Sequence, residues 1–161
     1  MQTFLPYADF NASARALDNK RLNKQILEAY QILKVLSSDD PHAGWRNHPA
    51  VKMWRGYERG LWQYVTAMVA EGEKRGIRVE NNVNNLVALA QKHASRWGAG
   101  LPAWFNDTPK LARVLATHKA NLYRKDPTFY WLFSDDVDDE NNKPCCDRCS
   151  YFWVTHVEEE K

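Results

Sequence analysis

Long apolar runs are absent from this sequence of 161 residues. No stretch approaches the roughly 20 apolar residues that a membrane-spanning helix needs, and the N-terminus has neither the basic nor the apolar segment of a secretory signal. Cysteine is scarce too, with three residues, which in an intracellular chain are usually reduced thiols. We therefore expect a soluble, cytoplasmic protein that has no membrane contact.

The alternation of polar and apolar residues that marks half-buried strands is also missing. Instead, 44% of the residues are hydrophobic and 12% are aromatic, including seven tryptophans, which excludes a disordered chain. A chain of this length suits one domain with a substantial core. The sequence predicts an all-α fold: a single compact domain of three to four main helices with long irregular loops and an acidic, cysteine-containing C-terminal extension.

Charge is distributed unevenly along the chain. Residues 1–134 contain 19 Lys and Arg against 11 Asp and Glu, a net charge of +8, whereas residues 135–161 contain 3 against 9, a net charge of −6. A basic body attracts polyanions and favours nucleic acid as the partner. We predict a helical domain over residues 1–134 and an extension over 135–161 that can fold back on it and compete with DNA phosphates.

The spacing of apolar residues predicts four helices. The first runs over residues 11–36, and the second begins at Pro49, since proline suits a first helical turn, and continues to about residue 75. A third covers residues 81–96. The fourth starts near Pro109 and stops before Pro127.

Within the first predicted helix, one carboxylate lies in a row of cations. Arg21, Lys24 and Glu28 follow spacings of three and four and share a face, while another face around Leu22 and Ile26 can be buried. A single acid among cations indicates chemistry on an anion. The alternative is a solvated face with ordinary ion pairs.

A short loop before the second helix combines an indole, a guanidinium and an imidazole. Trp45, Arg46 and His48 precede Pro49, an arrangement able to receive a phosphate. The alternative is a packed tryptophan and a histidine that caps the helix. Five tryptophans are expected in the core before any other role: Trp45, Trp54, Trp62, Trp97 and Trp104.

Three blocks in order carry a resemblance to a known family. These blocks are the N-terminal segment with Leu22 and Glu28, the loop 44–49 ahead of a helix ending at 74–76, and the closing segment 118–130. Together they resemble the pyrimidine-dimer DNA glycosylases of the phage endonuclease V type, small all-α enzymes that excise a damaged pyrimidine and cleave the abasic strand. The resemblance implies double-stranded DNA with a damaged or modified pyrimidine as substrate, no cofactor and a monomer.

The resemblance also implies an α-amine as nucleophile on the sugar C1′, forming an imine that expels the base and permits β-elimination. An α-amine ordinarily has a pKa of about 7.7–8.0, so an appreciable fraction is nucleophilic near neutral pH. The bulk of Gln2 is expected to prevent removal of Met1, which places the amine on Met1; Lys20 or Lys24 is the alternative nucleophile. Glu28 matches the family's catalytic glutamate, which stabilises cationic sugar and moves protons.

Basic side chains are the expected contacts to the DNA backbone. Arg21 and Lys24 would hold the phosphates that flank the extruded nucleotide. Each cation alone is more often simply solvated, whereas several together dominate affinity. The other candidates are Lys20, Arg46, His48, Lys52, Arg55, His118, Lys119, Arg124 and Lys125.

The C-terminal part of the sequence leaves alternatives open. One ring of the aromatic run 129–133 can stack on a base, or the run can pack in the core. Thiols and an imidazole form a possible zinc ligand set, or are reduced thiols with an unrelated histidine. The members of that set are Cys145, Cys146, Cys149 and His156.

Two other functions compete with base excision by an imine. One is a relative that acts on an unusual pyrimidine, in DNA or as a nucleotide, without lyase chemistry. The other is a non-catalytic DNA-binding module in which Glu28 is only an ion-pair partner.

Overall fold

Helices make up most of the protein. The computed structural model describes residues 1–135, 137–138, 143–144 and 151–157. Extended pairing within these residues is limited to two antiparallel strands of two residues each, β1 (Val137–Asp138) and β2 (Lys143–Pro144), so the all-α prediction is confirmed. Among the described residues, none of the helices combines the length and the hydropathy of a transmembrane span. The helices are α1 (Phe10–Ala16), α2 (Asn19–Leu36), α3 (Pro49–Trp54), α4 (Glu58–Lys74), α5 (Glu80–His93) and α6 (Thr108–Lys125).

The chain divides into two compact units. Unit one consists of Met1–Thr3 and Phe10–Pro102 and contains α1 to α5. Unit two consists of Phe4–Asp9 and the described residues from Ala103 onward, and contains α6. This division does not coincide with the predicted boundary after residue 134, which stays a prediction.

The predicted first helix is wrong in one respect, because it is two helices. Asp18 has an extended backbone and its side chain accepts the Arg21 N–H at 3.4 Å, so it caps a new helix, α2, instead of continuing α1. The predicted second helix is likewise interrupted between α3 and α4. There Gly56 adopts a φ of 85°, a left-handed conformation that ends the helix and that glycine reaches without steric cost.

The third and fourth predicted helices are confirmed. Residues predicted at 81–96 form α5 followed by a 3₁₀ turn at Ala94–Arg96. Asp107 caps α6 by accepting the Lys110 N–H at 3.1 Å, and the helix ends at Lys125, before Pro127.

The core of unit one forms where α2 packs against α4. The predicted apolar face of α2 is confirmed, since Leu22, Ile26 and Leu33 are fully buried. Tyr64 of α4 and Trp54 of α3 are the largest fully buried side chains around them. Burial of this face fixes the rotation of α2 and places Glu28 at the edge of the buried face, next to the buried Gln25.

Arg75 holds the end of α4 against the α1–α2 junction. Its guanidinium donates to the carbonyl oxygens of Ala14 at 3.2 Å, Arg15 at 3.0 Å and Leu17 at 2.6 Å. It also pairs with Glu71 at 2.9 Å. These donors satisfy carbonyl groups that the end of α1 leaves without helical partners.

Unit two is built around α6, and His118 is in its core. The imidazole is fully buried, lies 5.9 Å from the Phe4 ring and 5.7 Å from the Tyr151 ring, and accepts the Leu5 N–H at Nδ1 at 2.9 Å. Burial lowers the pKa of His118 to about 3, so the ring is neutral at physiological pH. The prediction that His118 contacts a DNA phosphate is therefore wrong, because the side chain is buried and uncharged.

Candidate active site

Glu28 lies on α2 with a largely buried carboxylate. Its side chain is only 12% exposed. Gln25 Nε2 and the Gln2 backbone N–H donate to Oε2 at 3.1 Å and 3.3 Å, and Lys24 Nζ lies 3.8 Å from Oε1. The Lys24 side chain is 66% exposed. Two neutral donors thus orient one carboxylate oxygen, and the other oxygen meets a solvated cation.

The start of the chain is anchored beside this carboxylate. Thr3 is fully buried, and its hydroxyl accepts the Trp54 indole N–H at 3.0 Å. The Gln2 side chain is also buried and accepts the Thr3 N–H at 2.9 Å. With residues 2 and 3 held in this way, Met1 is half-buried next to Glu28.

A buried tyrosine and glutamine support the carboxylate from the core side. The Tyr64 hydroxyl donates to Gln25 Oε1 at 2.9 Å, and the Gln25 amide donates onward to Glu28. Burial, and secondarily the negative charge of Glu28, raise the pKa of Tyr64, so the phenol remains a donor. The sequence analysis missed this chain, although an amide on the otherwise apolar face of α2 was a signal for it.

His48 caps α3 and lies near two charged groups of the site, the Met1 amine and the Glu28 carboxylate. Its Nδ1 accepts the Ala50 N–H at 3.0 Å, which confirms the interpretation as a capping histidine. Burial lowers the pKa of His48, the positive Met1 amine lowers it further, and the Glu28 carboxylate raises it. The imidazole is therefore neutral at neutral pH, with its hydrogen on Nε2.

Trp45 does not pack in the core. The side chain is 63% exposed, so the expectation of burial is wrong, whereas Trp54, Trp97 and Trp104 are buried as predicted. The Trp45 backbone has a φ of 68°, in the left-handed region, at a cost of order 1–3 kcal/mol for a residue other than glycine. Its ring meets the His48 ring edge to face at 5.6 Å.

An open cavity of about 290 Å³ joins these features. Three of its residues, Glu28, Gln31 and Val35, follow each other at spacings of three and four along α2. Gln31, Lys34 and Val35 were not predicted as site residues, although Gln31 and Val35 continue the face of Arg21, Lys24 and Glu28 by two turns. The lining residues are Met1, Glu28, Gln31, Lys34, Val35 and Trp45.

Within the part of the chain that the structure describes, none of the cations predicted to contact DNA from unit one lines this cavity. Arg21 pairs with Asp18 at 3.2 Å at the start of α2. Arg55 donates to the Arg46 carbonyl oxygen at 2.6 Å and so closes the loop that carries Trp45. Lys20 and Lys52 are exposed, which leaves both available to a phosphate.

The predicted cations of unit two differ in their surroundings. Lys119 Nζ lies 5.1 Å from the centre of the Tyr7 ring and 5.8 Å from that of Phe133. Arg124 donates to Asn121 Oδ1 at 2.7 Å. Lys125 is exposed.

The aromatic run divides between core and surface. Tyr130 and Phe133 are buried and stack on each other at 6.0 Å, as the core alternative expects. Phe129, Trp131 and Leu132 are more than half exposed. Packing thus accounts for two of the five residues.

Two predictions fall on parts of the chain that the structure does not describe. The possible zinc ligands Cys145, Cys146 and Cys149, and the side chain of His156, lie outside the described residues. Positions 136, 139 and 140 of the acidic run 135–140 also lie outside them.

Comparison with known proteins agrees with the family resemblance. A model of the pyrimidine dimer DNA glycosylase family matches residues 1–85, just over half of the chain. The chain belongs to this family, and the matched segment contains the residues that line the cavity. No curated protein and no solved structure gives a significant match.

Proposed function

We propose that this protein extrudes a damaged or modified pyrimidine from double-stranded DNA and cleaves its N-glycosidic bond through an imine on the Met1 amine, with associated AP lyase activity. The observation that carries the proposal is the cavity lined by both Met1 and Glu28. Membership in a DNA glycosylase family supports the reaction class. The net charge of +8 over residues 1–134 suits a DNA substrate.

In the first step the neutral Met1 amine attacks the sugar C1′. The bond from nitrogen to C1′ forms as the glycosidic bond breaks, and the base leaves with the bonding electron pair and takes up a proton. Positive charge develops on the sugar, and the Glu28 carboxylate beside it stabilises that charge. The nitrogen then gives up one proton, and the sugar ring opens as the C1′–O4′ bond breaks. O4′ leaves with the electron pair and takes up a proton, and the nitrogen lone pair forms the C1′=N bond of the protonated imine.

The lyase step follows from the electron-withdrawing imine. A base removes a proton from C2′, the C3′–O bond breaks, and the 3′ phosphate leaves with its electrons. Glu28 is the candidate base. Its Oε2 already accepts from Gln2 and Gln25, so Oε1, whose contact is Lys24 at 3.8 Å, is the oxygen able to take the proton.

Borohydride trapping on a duplex with a single abasic site tests the proposal. Reduction converts the imine into a stable amine, and mass spectrometry of the digested product locates the crosslinked residue. We expect the adduct on Met1, and an adduct on Lys20 or Lys24 would keep the imine chemistry but move the nucleophile. Lys52→Ala, a change at an exposed cation outside the cavity lining, is the control for weakened DNA binding.

The absence of an adduct would contradict the imine mechanism. If base were still released, the relative without lyase chemistry would be favoured. If DNA were bound with neither base release nor adduct, the non-catalytic binding module would be favoured.

A further inference from the structure

Met1 carries a thioether as well as an amine, and the imine chemistry uses only the amine. We propose that the Met1 thioether is an oxidation site, at which hypochlorous acid or another hypohalous acid joins the Met1 sulfur to the Met1 nitrogen and so blocks the nucleophile. The effect on activity rests on the proposed function, since it requires that the Met1 amine attacks the sugar. The bond between sulfur and nitrogen can be detected without any measurement of activity.

The methionines of this chain differ in their access to solvent. The chain contains three of them, and the structure describes all three. Met53 is 3% exposed and Met68 is fully buried, whereas Met1 is half-buried and lines the open cavity. Because an oxidant must reach the sulfur to react with it, Met1 is the methionine that is oxidised first.

Hypochlorous acid is the oxidant in this reaction and supplies the leaving group. The thioether sulfur attacks the chlorine, which gives a chlorosulfonium and releases hydroxide. The neutral Met1 nitrogen then displaces chloride from the sulfur and closes a five-membered ring through a new N–S bond. The hydroxide takes up the proton that the nitrogen loses. The sulfur is thereby oxidised, the chlorine is reduced to chloride, and one water is formed.

Two features favour ring closure over attack by water, which would give the sulfoxide. The amine and the sulfur belong to one residue, and intramolecular attack has a large advantage over attack from solution. The ring also carries a positive charge, which the Glu28 carboxylate stabilises from the lining of the same cavity. Once the nitrogen is bonded to sulfur it cannot form the C1′=N bond, so the modification stops the reaction at its first step.

Two altered proteins isolate the Met1 thioether. Replacement of all methionines by norleucine puts a methylene in place of each sulfur and keeps the α-amine. Met53→Leu combined with Met68→Leu leaves Met1 as the one thioether, and leucine and methionine have similar volumes. Both proteins retain the three cysteines, so oxidation of thiols affects them as it affects wild type.

Each protein is titrated with hypochlorous acid, and borohydride trapping on abasic DNA is then measured. We expect trapping to fall by about 10-fold or more in wild type and in the leucine variant, and to stay within about twofold of the untreated level in the norleucine protein. Mass spectrometry of the N-terminal peptide should show the loss of two hydrogens, which marks the N–S bond, whereas a sulfoxide would show the gain of one oxygen. Hydrogen peroxide, which leaves no chloride for the amine to displace, should give the sulfoxide.

The modification is overturned if hypochlorous acid adds oxygen to Met1 without the loss of two hydrogens. It is also overturned if the norleucine protein loses trapping as wild type does, since the thioether is then not the group that responds. If untreated wild type forms no adduct on Met1, the proposed function fails, and the effect on activity fails with it. The mass of the N-terminal peptide still decides in that case whether the N–S bond forms.

Discussion

At the residue scale, the carboxylate of Glu28 is fixed by donors from distant parts of the chain. Gln2 is 26 positions away, and Tyr64, which acts through Gln25, lies 39 positions from that glutamine. The i,i+4 spacing of Lys24 and Glu28 was readable from the sequence, and the ion pair is present. The other contacts depend on how α2 packs against α4 and on where the N-terminal residue Gln2 lies in the fold. The spacing of residues along α2 does not encode either of these.

Replacement of Glu28 by glutamine should abolish most of the activity while the fold is kept. The amide retains the size and an acceptor oxygen but cannot take a proton or stabilise positive charge as a carboxylate does. We expect base release to fall by about 10²- to 10⁴-fold with a DNA dissociation constant within about twofold of wild type. Single-turnover kinetics and a fluorescence binding titration measure the two quantities.

Tyr64→Phe is the comparison for this variant, because it removes only the hydroxyl that orients Gln25. Its loss of rate should be much smaller than that of Glu28→Gln. Full activity in Glu28→Gln would eliminate Glu28 as the proton-transfer residue.

The left-handed backbone of Trp45 makes a prediction about stability. Glycine reaches a φ of 68° without strain and alanine does not, so Trp45→Gly should be more stable than Trp45→Ala by about 1 kcal/mol. At positions with a negative φ, a protein with alanine is usually more stable than the same protein with glycine. Urea unfolding of both variants, followed by circular dichroism, measures the difference. A more stable alanine variant would contradict the left-handed conformation.

At the scale of elements, the long apolar stripes were predictable and the interruptions were not. The spacing of apolar residues predicted α5, α6 and the buried face of α2. The break at Asp18 depends on a side-chain cap, and the break at Gly56 depends on a left-handed backbone conformation. At both positions the apolar stripe continues on either side of the break, so the spacing of apolar residues predicts one uninterrupted helix. The exposure of Trp45 depends on a third connection, the loop between α2 and α3, which Arg55 closes by donating to the Arg46 carbonyl oxygen.

On α6, the buried His118 should make stability depend on pH. Its pKa is about 3 in the folded protein and about 6.5 when unfolded, so between these values the unfolded state binds more protons. This contribution to stability is present above about pH 6.5 and is lost as the pH falls toward 3. Between pH 7 and pH 5 it amounts to about 2 kcal/mol.

His118→Gln isolates this contribution, because glutamine retains an acceptor for the Leu5 N–H but does not titrate. Urea unfolding at pH 7 and pH 5 should show a loss of stability smaller by about 2 kcal/mol in the variant than in wild type. His42→Gln, at an exposed histidine, is the control. Equal losses in wild type and His118→Gln would refute the assignment of this pH dependence to His118.

At the scale of the whole molecule, the sequence has a basic body over residues 1–134 and an acidic extension over residues 135–161. The structure shows that the effect of the acidic charge cannot be tested by deleting the extension. Phe152 and Val154 are buried in unit two, and the Phe152 N–H donates to Thr117 Oγ1 at 3.3 Å. The Arg113 guanidinium lies 4.2 Å from the centre of the Phe152 ring. Deletion of residues 135–161 would therefore remove core contacts together with the charge, so neutral substitutions are the appropriate change.

If the acidic run competes with DNA phosphates, neutralising it should tighten DNA binding at low salt. The test variant changes Asp135, Asp136 and Asp138 together to asparagine. The control variant changes Glu158, Glu159 and Glu160 to glutamine, which removes the same number of negative charges elsewhere in the extension. Only the first variant should bind tighter, with a steeper decrease of affinity as salt increases, because more phosphates become paired. Equal tightening by both variants would assign the effect to net charge alone, since competition at the DNA-binding surface requires charges at particular positions.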